Sequence, residues 1–301
     1  MKSLSRCIVA LIACALAGCG SDDGGGTAVP ANVAVSQRIT DLAPVAVFAH
    51  RGLGPTRTGN PYPENSLVSF RAAIDQGTDA LEMDAELTLD GQLILMHDDT
   101  VNRTTECTGC VSALTFDEIR SCRLLDGNGQ PTEAVPPTLD EVVELEPTDM
   151  LINVELKVFS GECLTPGHGP VDLATAMVAA LRRLGVESRT VVQSFDVEAL
   201  ASVREQAPDI YTALLVSGLR ARDITTAVEL GADALQPGGP FPLVNLSPVL
   251  LQNALDAGLQ VIPWTVDDAE SINELLDSHV NGIITDDPAL VKQVAAGRTD
   301  L

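Results

Sequence analysis

Residues 190–216, TVVQSFDVEALASVREQAPDIYTALLV, read as an apolar run of strand length, an amphipathic stretch of helix length and a second apolar run. A strand–helix–strand unit of this size joins parallel strands, because an antiparallel pair needs only a short turn. Outward from it the alternation continues in both directions. VAVFAH (45–50), DALEMD (79–84), LINVEL (151–156), ADALQP (232–237), VIPWTV (261–266) and GIITD (282–286) bring the strand-length runs to eight. ENSLVSFRAAIDQG (64–77), VDLATAMVAALRRLG (171–185), SPVLLQNALDAG (247–258) and DDAESINELLDSH (267–279) supply amphipathic helices between them, several ended by the glycine that helix C-termini favour. Eight such repeats in residues 45–301 predict an α/β fold of the TIM (β/α)8 barrel type. LILMHD (93–98) is a ninth strand-like run, and Asp90-Gly91 before it signals a hairpin. It is therefore expected to fold back antiparallel beside the barrel mouth.

The chain begins outside this pattern. Lys2 and Arg6 precede the apolar stretch CIVALIACALAG, too short to span a bilayer and of the length of a secretory h-region. Leu16-Ala17-Gly18-Cys19 resembles the bacterial lipobox, which implies a signal peptide over 1–18 and lipidation of Cys19. Residues 19–44 then read as a flexible tether, since GSDDGGGTAVPANVAVSQ is rich in Gly, Ser and Asp. The expected location is outside the cytoplasm, on a membrane-anchored lipoprotein. Gly20 and Ser21 lack the aspartate that retains such proteins at an inner membrane, which favours the outer membrane facing the periplasm. Only the N-terminal lipid would touch the membrane.

Eighteen basic residues against 42 acidic ones give a net charge of −24, two units more negative once Lys2 and Arg6 are removed. That field argues against nucleic acid and against loose adhesion to anionic lipid. It suits a soluble surface, and also a site that holds a cation before it accepts an anion. Beyond the leader lie Cys107, Cys110, Cys122 and Cys163, an even number that favours disulfides in an exported chain. Four cysteines allow three connectivities, among which the sequence does not choose, with Cys107–Cys110 and Cys122–Cys163 the first to consider; a zinc or redox CxxC site lacks the usual partner spacing. Residues 104–137 hold three of these cysteines, show weak periodicity and read as a small insertion over the C-terminal mouth. LTFDEIRSC within it is expected to be a short helix.

Barrel active sites collect at the C-terminal ends of the strands. His50, Glu82, Asp84, Glu155, Gln193 and Trp264 all fall late in a run or just after it, and His97 closes the hairpin strand. Imidazole as a group titrates near neutrality, which suits His50 and His97 to proton transfer. Glu82 and Asp84, two residues apart on a strand, face the same way, and Glu155 ends the next stave. Three carboxylates facing a low-dielectric interior need neutralisation. Arg51 and Lys157 could supply it as salt bridges, but oxygen ligands in excess point to one hard divalent cation, Ca2+ or Mg2+. Glu86, on the same face, belongs further out along the hairpin. His168 and His279 read as solvated or capping residues, Pro136-Pro137 as the end of the insertion, and Gly238-Gly239 as a tight turn.

The succession HRG, PEN, LEMDAELTLDG, LILMHDDTVNRTT, NVELK, QSF, PWTV and GIITDDP, in order over residues 45–292, resembles the glycerophosphodiester phosphodiesterase family. The resemblance implies that His50 and His97 are the acid and base and that Glu82, Asp84 and Glu155 hold the metal. It further implies that Arg51 and Lys157 meet phosphate oxygens, while Asn65, Gln193 and Trp264 line the pocket. Ser66 stands where the family's PENT block has threonine and keeps the hydroxyl. The implied reaction is hydrolysis of a small-molecule glycerophosphodiester to glycerol 3-phosphate and an alcohol. A phospholipase C- or D-type hydrolase acting on intact lipid, and a non-catalytic tethered binding protein, are the alternatives. GPTRTGNPY, inserted between HRG and PEN, leaves substrate choice open, as do the preferred alcohol, the cation and the oligomeric state.

Overall fold

The computed structural model describes residues 29–145, 147–158, 161–239 and 246–298; the expected signal segment, Cys19 and the start of the tether lie outside the described residues. The strands are β1 (Ala46–Ala49), β2 (Ala80–Leu87), β3 (Leu93–Leu95), β4 (Leu151–Leu156), β5 (Thr190–Ser194), β6 (Tyr211–Ser217), β7 (Ala234–Gly238), β8 (Gln260–Val261) and β9 (Gly282–Thr285). Eight are parallel neighbours in the order β8-β7-β6-β5-β4-β2-β1-β9. The seam between β8 and β9 is joined by backbone bonds from Asn281 to Val261, Ile284 to Pro263 and Val266 to Ile284, at 2.9–3.0 Å. β8 is short because Pro263 has no N–H to continue the ladder. The ninth strand, β3, pairs antiparallel with β2 in the register Ala85↔Leu95, as the Asp90-Gly91 turn requires.

The helices are α1 (Ala31–Asp41), α2 (Leu67–Asp75), α3 (Phe116–Arg120), α4 (Leu139–Leu145), α5 (Pro170–Leu184), α6 (Val197–Gln206), α7 (Ala221–Leu230), α8 (Pro248–Asp256), α9 (Ala269–Asp277) and α10 (Pro288–Ala296). Local chemistry sets their ends. Asp196, Asp268 and Asp287 accept hydrogen bonds from the first turns of α6, α9 and α10. Ser66 does the same for α2, so the hydroxyl that replaces threonine there has a structural task. Among the described residues no helix is long and apolar enough to cross a membrane.

The tether expected over residues 19–44 is shorter in the structure, because Ala31–Asp41 form helix α1 of the ordered domain. Ala31, Val35 and Ile39 fall at i, i+4 and i+8 and form a buried stripe, with Val35 and Ile39 packed under Phe48, Tyr211 and Ile262 in the barrel lumen. Asn32 Nδ2 donates to Asp233 and Gln260 Nε2 to the Ser36 carbonyl, tying the helix to strand starts. The helix thus closes the N-terminal end of the barrel. The ordered domain starts upstream of Val45, because three apolar residues on one face are enough when a lumen waits to receive them.

A separate small core of Ile94, Met96, Val101, Val111 and Ile119 joins the insertion to β3 and the segment that follows it. α3 lies where LTFDEIRSC placed it. The disulfides are Cys107–Cys122 and Cys110–Cys163, not the expected pairs. An antiparallel contact of Thr105 with Leu124, followed by a bond from Glu106 N to Arg123 O, sets Cys107 opposite Cys122. Ser112 Oγ donates to the Cys163 carbonyl and brings the β4–α5 loop against Cys110. Nearness along the chain was a poor guide because tertiary register, not local sequence, brings these sulfurs together. Gly127 N bonds Asn60 O, so the insertion also reaches the loop after β1.

Candidate active site

Inward-facing residues climb the barrel in layers. Phe48, Ala80, Leu151, Val191, Ala213 and Ala234 make an apolar floor. Above it the same faces turn polar: Glu82 on β2, Asn153 on β4 and Gln193 on β5. Asn153 Nδ2 donates to Gln193 Oε1 at 2.9 Å, and Gln193 Nε2 donates to Glu82 Oε1 at 2.7 Å, which fixes the orientation of the carboxylate. Arg51 N donates to its other oxygen at 2.9 Å. Asp84 is held by Asn65 Nδ2 at 2.8 Å, and Asn65 Oδ1 accepts in turn from Asp84 N.

Glu82, Asp84 and Glu155 are 2 %, 0 % and 7 % exposed, and one oxygen from each lies within 4.8 Å of the others. Burial, reinforced by the charge of Asp84, pushes the Glu82 carboxyl well above the usual range; burial likewise raises Glu155. Burial would raise Asp84 too, but Arg51 and Lys157 overcome it and hold that group below the usual range. Lys157 Nζ sits 2.9 Å from Glu155 and 3.7 Å from Asp84, and Arg51 Nε 3.3 Å from Asp84. Salt bridges therefore run through the same cluster of carboxylates that could hold a cation. Asp84 Oδ1 is buried with no hydrogen-bond donor, and an acceptor-only atom among three converging carboxylates fits a hard divalent cation. The donor set is oxygen alone.

His50 and His97 stand at the rim of this cluster, and both line a cavity of about 80 Å3 with Arg51, Glu82, Glu155 and Lys157. Each imidazole has its own carboxylate: His50 Nδ1 lies 2.7 Å from Asp286 Oδ1, and His97 Nδ1 lies 2.7 Å from Asp98 Oδ1. These bonds place the Nδ1 proton toward the acid and leave Nε2 as the nitrogen for exchange with a substrate. Asp286 is further held by Arg57 at 3.0 Å, from the GPTRTGNPY loop. Gly54, at φ +83°, is the residue that lets this loop pass, since a Cβ there would meet Asp286 at 2.6 Å. Asp98 is chelated by Arg103, which also forks onto Glu64, and Glu64 in turn bonds Arg51. Burial opposes ionisation of Glu64, but those arginines hold its carboxyl below the usual range.

The structure brings together His50, His97, Glu82, Asp84, Glu155, Arg51, Lys157, Asn65, Gln193 and Trp264. Trp264 is half-buried on the wall facing the carboxylates, and its Nε1 donates to the Gln236 carbonyl at 2.8 Å. Gly238 packs so tightly there that a Cβ would meet Trp264 O at 1.7 Å, so a close backbone approach accounts for this glycine. Glu86 lies on the hairpin opposite Ile94, as expected, but fully buried. His168 is buried as well, with Nε2 on the Thr88 carbonyl, so it is structural and not solvated. The sequence reading missed Asp286, Asp98, Glu64, Asn153 and Phe195. The first three sit inside the blocks GIITDDP, HDD and PEN; only their side-chain directions reveal what they hold.

Residues 50–290 match the model of the glycerophosphoryl diester phosphodiesterase family. A glycerophosphodiester phosphodiesterase of Caldanaerobacter subterraneus is 34 % identical over 255 residues, covering 83 % of this chain and 98 % of that protein. One from Bacillus altitudinis is 32 % identical and covers 80 % of this chain and 94 % of its own. The crystal structure of a protein of that family from Silicibacter pomeroyi superposes with a TM-score of 0.75 at 26 % identity, over 88 % of this chain and 97 % of the other. A phosphodiesterase of Oleispira antarctica, solved with its product sn-glycerol-3-phosphate, shares the fold with a TM-score of 0.71 at 24 % identity, over 83 % and 96 % of the two chains. The chain belongs to the glycerophosphoryl diester phosphodiesterase family, enzymes that hydrolyse glycerophosphodiesters.

Proposed function

We propose that this chain hydrolyses glycerophosphodiesters to glycerol 3-phosphate and an alcohol, with one divalent cation on Glu82, Asp84 and Glu155 and with His50 and His97 as the acid–base pair. The observation that carries this reading is the pair of imidazoles, each bound through Nδ1 to an aspartate at 2.7 Å and each lining the cavity above the carboxylates. The cation would stabilise charge on the non-bridging phosphoryl oxygens. Arg51 and Lys157 add positive charge at the same place, already oriented by Glu64 and Glu155. One histidine takes a proton through Nε2 from the attacking hydroxyl, whether water or the substrate's neighbouring glycerol hydroxyl. The other gives its proton to the leaving alcohol oxygen as the P–O bond breaks; where the glycerol hydroxyl attacks, the cyclic phosphate so formed is opened by water in a second step, with the two histidines exchanging roles, to give glycerol 3-phosphate. Gln193 and Asn65, bonded to Glu82 and Asp84, keep these carboxylates turned toward the cation site. Neither imidazole is assigned to acid or base. Ca2+ and Mg2+ both fit an all-oxygen donor set.

His50→Ala and His97→Ala, made singly in a folded protein, test the acid–base assignment: each is expected to lower release of glycerol 3-phosphate by at least a hundredfold. Full activity in either variant would exclude that residue from proton transfer. We also propose export and anchoring at an outer membrane through lipidated Cys19, supported by the leader and the Leu16–Cys19 motif. Cys19→Ala should abolish the acyl mass on the mature N-terminus. An unlipidated wild-type N-terminus would remove the anchor from the account.

A further inference from the structure

Phe195 is 44 % exposed, the one aromatic among the strongly exposed large apolar side chains of the described residues. It stands just past the end of β5 and lines the same cavity as the two histidines. Its ring meets Trp264 edge-on, with centroids 5.5 Å apart and planes at 83°. Two rings at right angles make a corner. The indole N–H is committed to the Gln236 carbonyl, so Trp264 offers the cavity only its π system and carbon edges. Leu215 and Ile284 continue this wall, and the amide of Gln193, on β5 two residues before Phe195, is engaged at both ends by Asn153 and Glu82. The opposite wall holds all the charge, in His50, Arg51, Glu82, His97, Glu155 and Lys157.

We infer that the Phe195–Trp264 corner is a subsite for a quaternary ammonium headgroup, which makes choline the preferred alcohol of the substrate. The inference rests on the hydrolase reading above. In phosphoryl transfer the attacking and leaving oxygens lie roughly in line across phosphorus. The glycerol hydroxyls need hydrogen-bonding and cationic partners, which only the charged wall supplies. The leaving alcohol therefore points away from that wall, and a cavity of about 80 Å3 is too small to enclose it, so it extends over the rim where Phe195 lies. A headgroup resting there finds, among the side chains of this wall, only the already bonded amide of Gln193. Glycerol, serine or inositol would lose hydrogen bonds to water with nothing in return. A trimethylammonium group has no N–H to satisfy, and its diffuse positive charge is attracted by aromatic faces. The strongly acidic chain favours a cationic group at this rim as well.

The test compares kcat/KM for glycerophosphocholine with that for its uncharged carbon isostere, glycerophospho-3,3-dimethylbutanol, in the wild type, Phe195→Leu and Phe195→Tyr. The wild type should prefer the choline ester by roughly tenfold, the effect of one good cation–π contact. Phe195→Leu should bring the ratio near one, and Phe195→Tyr should restore it. A ratio near one in the wild type, or one unchanged by Phe195→Leu, would overturn the inference. Binding is read separately, because Trp264 is the chain's only tryptophan. Choline should quench its fluorescence in the wild type and in His97→Ala, and not in Phe195→Leu. Quenching without turnover of either ester would count against the hydrolase reading alone, and turnover without quenching or preference against the subsite alone.

Discussion

Asp286→Asn isolates what the carboxylate beneath His50 contributes. The Nδ1–Oδ1 distance is 2.7 Å, and the Asp286 side chain is 6 % exposed, so the bond is charge-assisted and poorly screened by solvent. Such bonds contribute roughly 1.5–3 kcal/mol, against about 1.4 kcal/mol per factor of ten in rate. Asparagine is isosteric, but its amide can donate to Nδ1 and so favour the tautomer with the proton on Nε2. The expected loss in kcat/KM is therefore between about tenfold and a hundred and fiftyfold, expressed mainly in kcat. Asp98→Asn at His97 should cost less through the imidazole, since the Asp98 side chain is 27 % exposed. Steady-state assay of glycerol 3-phosphate release across pH 5–9 reads both. Activity within twofold of wild type would refute the claim that Asp286 sets the tautomer of His50.

Three further outcomes follow from the same geometry. Glu82 and Glu155 are raised by burial, so the stability they contribute is fully present below the ordinary carboxylate range and is lost as pH rises through their elevated values. Chelated protein should melt progressively lower as pH rises above about 5, divalent cation should restore the loss, and Glu82→Gln should flatten the slope; a melting temperature indifferent to both pH and cation would contradict this. Ile39→Ala removes a side chain that is 1 % exposed under the barrel floor, so urea unfolding should show a loss of about 2–5 kcal/mol with KM unchanged. Cys110→Ala with Cys163→Ala opens a loop of 53 residues and should cost about 2–4 kcal/mol, whereas peptide mapping that finds Cys107 joined to Cys110 would contradict the pairing itself.

Much of the architecture was legible because it is repetitive. The strand and helix periods recur eight times, and a hairpin dipeptide explains the one strand that does not fit. The trio Glu82, Asp84 and Glu155 was legible for a related reason, since side-chain alternation fixes which residues of a strand share a face. What escaped depends on three-dimensional register. Asp286 and His50 lie 236 positions apart and meet only because β1 and β9 are neighbours in the closed barrel. The disulfides follow an irregular antiparallel contact in the insertion, for which no period exists. α1 was hidden by composition: a glycine-rich leader runs directly into a helix whose three buried residues are too few to stand out. Phe195 ends an apolar run and reads as core, although the strand has by then left the barrel.

Catalysis is expected to depend on a cation held by Glu82, Asp84 and Glu155. The most direct test is release of glycerol 3-phosphate from glycerophosphocholine by the purified protein, before and after EDTA and after return of Ca2+ or Mg2+ alone. Activity should vanish on chelation and return with one of the two ions in wild type, but not in Glu155→Gln. Full turnover by chelated, folded protein would contradict the account.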